Sequence, residues 1–150
     1  MKNCLTIAGS DCSGGAGIQA DLKTFSALGC YGMSAISAVV AENTERVIST
    51  MPVTPSVIYD QLEAVFTDIR VDAVKIGMLP DAGSMHAVAA ALMKFDPEIV
   101  VCDPILAATA GTELMQGSAV NTFITTIVPL CTLLTPNIPE AEKLLGCTIK

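Results

Sequence analysis

The sequence predicts an α/β fold in which a mostly parallel sheet is covered on both faces by helices. Three observations carry that expectation. Short apolar runs recur along the chain, segments with helical apolar spacing lie between them, and Gly or Pro marks most of the joins. Strands that alternate with helices in this way are joined by right-handed crossovers. No internal repeat or low-complexity linker interrupts the pattern, so residues 1–150 are taken as one domain.

The elements follow in order. "CLTIA" is a short buried strand, and after a glycine-rich loop a helix begins at Ile18, with Ile18, Leu22, Phe25 and Leu28 on one face and Gly29 as its stop. "MSAISAVVA" is the second strand, and "RVISTMPV" adds a short one. Thr54 is placed to cap the next helix with Pro55 at its first position, and Ile58, Leu62, Val65, Phe66 and Ile69 form its stripe. "VDAVKIGML" is a strand, followed by a helix from Asp81 to Lys94 with Met85, Val88, Ala89 and Leu92 inward. "EIVVCD" is another strand, ended by Pro104, and "ATAGTELMQG" is a loop. A helix from Ser118 to Ile127 or Val128, the strand "CTLLT" and a short helix from Asn137 through Leu145 complete the series.

Composition excludes several functions. The chain is 51% hydrophobic and 15% charged, which argues against disorder, and its net charge of −7 argues against broad attraction to nucleic acid or anionic membranes. It also lacks Trp and any basic-aromatic cluster suited to nucleic acid. No apolar run is long enough to span a membrane, and no secretory signal precedes the first strand. Six cysteines without a CxxC pair then read as reduced thiols of a cytoplasmic protein rather than a disulfide framework.

In open parallel sheets, ligand-binding residues gather beyond the carboxyl ends of strands. Residues 9–17, 42–44, 77–79, 103–111 and 135–140 all occupy such positions. The loop "GSDCSGGAG" raises the question of a nucleotide phosphate, because residues 15–20 match the dinucleotide pattern GxGxxA. Against that stand the polar insert ahead of the glycines and the lack of a well-placed acid after the second strand. No GxxxxGK[ST] is present, and the glycines are equally suited to sharp turns and close packing.

Four polar positions each have a structural and a functional reading. Asp21 lies within its helix's apolar arc, so it needs a partner: backbone groups near the helix start or a ligand. Asp103, directly after a strand, is either a strand-end acid or a water-mediated Mg²⁺ and phosphoryl contact. Asn137 and Glu140 have capping-box spacing, and the same geometry orients Mg²⁺ waters and phosphates. Lys75 is placed for an ion pair more than for base catalysis. His86, the sole histidine, falls on the polar side of its helix, and Cys12 has no identified activating neighbour.

Four blocks carry a resemblance. "LTIAGSDCSGGAGIQADLKTFSALGCYGMSAISAVVAENT", "VKIGML", "CDPIL" and "LLTPNIPEAEKLLG", in that order, closely resemble the hydroxymethylpyrimidine and phosphomethylpyrimidine kinase family of thiamine biosynthesis. The resemblance implies a ribokinase-like three-layer αβα sandwich and two successive ATP-dependent phosphorylations. The first is on the hydroxymethyl group of 4-amino-5-hydroxymethyl-2-methylpyrimidine and the second on the resulting monophosphate. It implies Mg²⁺ as cofactor and a homodimer for the full-length protein.

By position the resemblance assigns Gly9 and Asp21 to the pyrimidine site, Asp21 meeting the amino and ring-nitrogen edge. Val40, Met78 and Ile105 are its apolar walls, and Glu42 stands where relatives commonly have glutamine. Asp103, Asn137 and Glu140 would support phosphoryl transfer and hold Mg²⁺ through water. Thr109-Ala110-Gly111 departs from the Lys-Ser-Gly of some relatives and removes a positive contact. Family kinases continue well past this length into a Gly-Thr-Gly-Cys-like anion hole, with which no cysteine here aligns. The chain is therefore expected to be the N-terminal part of such a kinase, an incomplete domain lacking its C-terminal part. The alternatives are pyridoxine kinase and a non-catalytic pyrimidine-binding fragment.

Overall fold

The computed structural model describes residues 1–105 and 117–149. Its main sheet has five strands: β1 (Asn3–Ala8), β2 (Tyr31–Ile36), β5 (Ala73–Ile76), β6 (Val100–Cys102) and β7 (Leu133–Leu134). Their order is β2-β1-β5-β6-β7 and every pairing is parallel. The helices are α1 (Gly17–Ala27), α2 (Pro55–Asp68), α3 (Ala82–Phe95), α4 (Gly117–Thr126) and α5 (Ile138–Leu145). The alternation expected from the sequence is therefore present, as are the parallel strands that such crossovers require.

Strand periodicity divides the burial between the two faces. On one face Leu5, Ile7, Val74, Ile76, Val100 and Cys102 form one core with Ile58 and Leu62 of α2, Met85, Val88 and Leu92 of α3, and Phe123 of α4. Thr6 points the other way, toward α1, and is fully buried. In the register of the parallel ladder Thr6 lies between Ser34 and Lys75, so a polar row crosses the α1 face of the sheet.

Several expected elements are shorter or divided. "MSAISAVVA" is not one strand: it breaks at Ser37 into β2 and β3 (Ala38–Glu42), and β3 pairs antiparallel with β4 (Val47–Pro52) in a separate two-stranded sheet. At Ser37 the amide still reaches β1, but the hydroxyl and the carbonyl bond away from the strand pair. Its amide donates to the Ala8 carbonyl at 2.9 Å, its hydroxyl donates to the Met78 carbonyl at 2.6 Å, and its carbonyl accepts from the Val53 amide at 2.9 Å. "VDAVKIGML" contributes only Ala73–Ile76 as strand, and the Gly77 amide makes a last bond to the Ile7 carbonyl, at 2.9 Å, before the chain runs on to α3. Of the expected loop "ATAGTELMQG", all but Gly117, which opens α4, lies outside the described residues.

Helix ends show the same economy. Asp81 and Ser84 form a reciprocal capping box at α3. Thr54 holds the N-cap position of α2 but bonds no backbone amide; its hydroxyl lies 3.3 Å from that of Ser56, and Pro55 sets the helix entry instead. Gly29, just past α1, takes φ +73°, the left-handed conformation expected of a stop. All six cysteines are free, and no helix among the described residues is long and apolar enough to cross a membrane.

The core assignment is open to measurement. Leu62 is fully buried while Met93 is 66% exposed. Leu62→Ala is expected to cost about 2–5 kcal/mol in denaturant unfolding, whereas Met93→Ala should stay within about 0.5 kcal/mol of the parent.

Candidate functional site

The glycine loop joining β1 to α1 is organised around Asp11, which is 3% exposed. One carboxylate oxygen accepts the Ser13 amide and the Ser13 hydroxyl, each at 2.7 Å; the other accepts the amides of Gly15 at 2.9 Å and Ala16 at 2.7 Å. The Ser13 hydroxyl, with the amides of Ser13, Ala16 and Gly15, holds this carboxyl below its ordinary value against the opposing pull of burial. The loop amides that a phosphate would take are already given to the loop's own acid.

The loop continues directly into α1. Gly17 has φ +55°, and a Cβ there would meet the Gly9 carbonyl oxygen, so only glycine fits. The Ile18 amide then donates to that same carbonyl at 2.9 Å. On its other side the loop is laced to the β3–β4 hairpin. The Ser10 amide donates to the Ala38 carbonyl at 2.9 Å, and the Ser10 hydroxyl oxygen accepts from the Val40 amide at 3.1 Å. The Cys12 thiol donates to the Glu42 carbonyl at 3.0 Å.

These restraints bring three of the expected pyrimidine-site residues together. A Cβ built on Gly9 would stand 2.5 Å from Met78 Cε and 3.7 Å from Val40 Cγ2, so Met78 and Val40 pack directly against Gly9 and any side chain there would displace Met78. Ile105 approaches next door: its Cδ1 is 3.8 Å from where a Gly77 Cβ would stand. Glu42 ends β3 at a register shift. Burial, reinforced by the negative charge of Asp11, pushes its carboxyl above the ordinary value.

Among the described residues Asp21 bonds no backbone group. Its Oδ2 accepts from the Thr6 hydroxyl at 2.6 Å and from the Lys75 ammonium at 2.9 Å, across the face that α1 covers. Thr6 and Lys75 are register partners on β1 and β5, which explains why one oxygen receives both. This cluster therefore lies one helical turn along α1 from the Gly9 contact.

The expected phosphoryl-transfer residues follow the ends of two adjacent strands. Asp103 leaves β6 with its amide donating to the Ile76 carbonyl, and Thr135, after β7, donates its amide to the Cys102 carbonyl, each at 2.9 Å. At the start of α5 the Asn137 side chain accepts the Glu140 amide and the Glu140 Oε2 accepts the Asn137 amide, both at 2.9 Å. The pair is thus a capping box, as its spacing allows. Carboxylate and amide oxygens are the hard donors that suit Mg²⁺ held through its own waters. The cap leaves Glu140 Oε1 outside its bonds, so the residues present fit water-mediated binding. Among the described residues no group of three or more His, Cys, Asp or Glu forms a direct metal cage. Thr109, Ala110 and Gly111 lie outside the described residues.

Two organising residues, Asp11 and Thr6, were not singled out by the sequence reading. An acid two residues ahead of a serine, followed by glycines, is a signal for a carboxylate that bonds the amides after it. Thr6, inside an apolar strand, leaves no such mark.

A family model described as phosphomethylpyrimidine kinase matches residues 11–150. The chain is 50% identical over 143 residues to the hydroxymethylpyrimidine/phosphomethylpyrimidine kinase of Escherichia coli K12, covering 95% of this chain and 54% of that one. A crystal structure of phosphomethylpyrimidine kinase from Clostridium difficile 630 superposes with a TM-score of 0.94 at 46% identity, over 99% of this chain and 64% of that one. A Bacillus subtilis pyridoxal kinase, solved as an ADP complex, gives 0.87 at 37% identity, over 98% of this chain and 54% of that one. The chain thus spans about half the length of the curated kinase it matches.

Asp11→Asn keeps the shape but turns an N–H₂ toward amide donors, and is expected to cost about 2–3 kcal/mol near neutral pH. Because the folded-state pKa is depressed, the carboxylate stabilises the fold above its ordinary value of 3.8 and that contribution is lost as pH falls through the folded value. The gap between parent and variant in denaturant midpoint should therefore narrow below that value.

Proposed function

The chain belongs to the phosphomethylpyrimidine kinase family, and on that footing we propose that its protein uses ATP to phosphorylate 4-amino-5-hydroxymethyl-2-methylpyrimidine and then the monophosphate. The observation that carries the reading is the close approach of Met78 and Val40 to Gly9, which gathers three of the expected ring-contact residues just beyond the carboxyl end of β1. Asp21 is one helical turn away to read the ring's polar edge. Asp103 and the α5 cap follow the ends of the neighbouring strands β6 and β7.

The chemistry required is in-line attack by the hydroxymethyl oxygen on the terminal phosphorus of ATP, with positioning and charge stabilisation as the main catalytic terms. In this reading Gly9, Val40, Met78 and Ile105 hold the ring, and Asp21 and Glu42 set its orientation. Asp103, Glu140 and Asn137 would hold Mg²⁺ through water, and Mg²⁺ supplies neutralisation of the phosphate oxygens. We read the 150 residues as the first part of one incomplete ribokinase-like domain, whose full-length protein is a cytoplasmic homodimer. A second reading, pyridoxine phosphorylation, has support in the likeness to pyridoxal kinase, and the higher identity to the pyrimidine kinase favours the first.

The test is turnover. With Mg-ATP and the pyrimidine, both the monophosphate and the diphosphate should form by mass spectrometry; phosphorylation of pyridoxine with no pyrimidine product would replace this reading by the second. In the active protein Asp103→Asn should lower kcat by about 10²-fold with little change in KM.

Glu42 gives a pH-dependent check. A protonated Glu42 offers an O–H donor as an amide would, and that form is lost as pH rises through its elevated value. Glu42→Gln should therefore bind the pyrimidine more tightly than the parent at pH 8, and by calorimetry that advantage should shrink as pH falls through the raised Glu42 value.

A further inference from the structure

The Asp21 carboxylate is held unequally. Both donors that reach it, the fully buried Thr6 hydroxyl and the Lys75 ammonium, go to Oδ2, and no described residue bonds Oδ1. The side chains of Asp21 and Lys75 are 17% and 23% exposed, so the pair is enclosed but not sealed from a small molecule. Room for the ammonium is provided by Gly77: a Cβ there would stand 2.9 Å from Lys75 Nζ and 3.0 Å from Ala8 Cβ.

We infer that Lys75 and Thr6 are positioning residues that immobilise Asp21 through Oδ2 and leave Oδ1 as a single acceptor aimed at an N–H of the ligand. An ionised carboxylate only accepts hydrogen bonds. With one oxygen saturated and the side chain fixed, the other discriminates for a ring bearing an amino group and against one that lacks it. Lys75 also balances the charge of Asp21 in a partly dehydrated site, where an unpaired carboxylate would be costly. The inference rests on the pyrimidine reading above, and concerns how the amino group is selected rather than whether the ring is bound.

The experiment compares two ligands in calorimetry: 4-amino-5-hydroxymethyl-2-methylpyrimidine and its analogue without the 4-amino group. The ratio of their dissociation constants does not depend on the fraction of protein that is folded, so a loss of stability alone leaves it unmoved. The parent should favour the amino ligand by at least about 10-fold, the range of a hydrogen bond to a charged group. Lys75→Met and Thr6→Val should each reduce that ratio several-fold, and Lys75→Arg should retain most of it. Should Lys75→Met fail to fold, the near-isosteric Thr6→Val carries the test alone. An unchanged ratio in either folded variant overturns the inference, as does a parent that binds both ligands equally, which leaves the pyrimidine reading standing. A parent that binds neither ligand removes that reading and the inference with it.

Discussion

The Asp11 carboxylate, closed around four donors of its own loop, is the interaction on which the placing of the site depends. Without a partner those backbone amides would need water or an anion, and the loop would have no single shape. With Asp11 in place the chain after β1 is bent into one path. That path delivers the Gly9 carbonyl to the first turn of α1 and Ser10 to the edge of β3. The acid also has a remote effect, since its charge adds to burial in raising the Glu42 carboxyl. One buried anion thus fixes a helix, orients a hairpin and biases the protonation of a residue on it.

A second polar arrangement works on the opposite principle. Asp11 is satisfied completely and turns inward, whereas Asp21 is satisfied at one oxygen. Buried carboxylates that bond only to the protein define shape; those with a remaining lone pair can recognise something else. The two acids lie on either side of Gly17, whose left-handed conformation sets the angle at which loop passes into helix.

Much of the architecture was legible in the residues. The alternation of apolar runs with helical spacing predicts the parallel sheet, and the Asn137 and Glu140 spacing marks a helix start that a capping box occupies. What was not legible turns on polar groups within apolar runs. Ser37 has no neighbour in sequence that betrays its three bonds to β1, Met78 and Val53, so "MSAISAVVA" reads as one strand. Likewise Asp21 is visible as an acid out of place, but its partners Thr6 and Lys75 are 15 and 54 residues distant in the chain and meet it only through strand register. Local pattern reports periodicity, and these contacts belong to topology.

The knot at Ser37 has one more consequence. The chain leaves the main sheet there and returns to the same point, where the Val53 amide meets the Ser37 carbonyl. Residues 38–52 are therefore an excursion with a closed base, and the strand order of the sheet makes no use of them. A segment tied off in this way can be exchanged, lengthened or trimmed while the registers beneath it stay as they are. It also carries Val40, which packs against Gly9, and Glu42, which the proposed function sets against the ring. Drift in what the fold accepts as a ligand can accordingly proceed within this excursion, provided its bonds to Ser10 and Cys12 are kept.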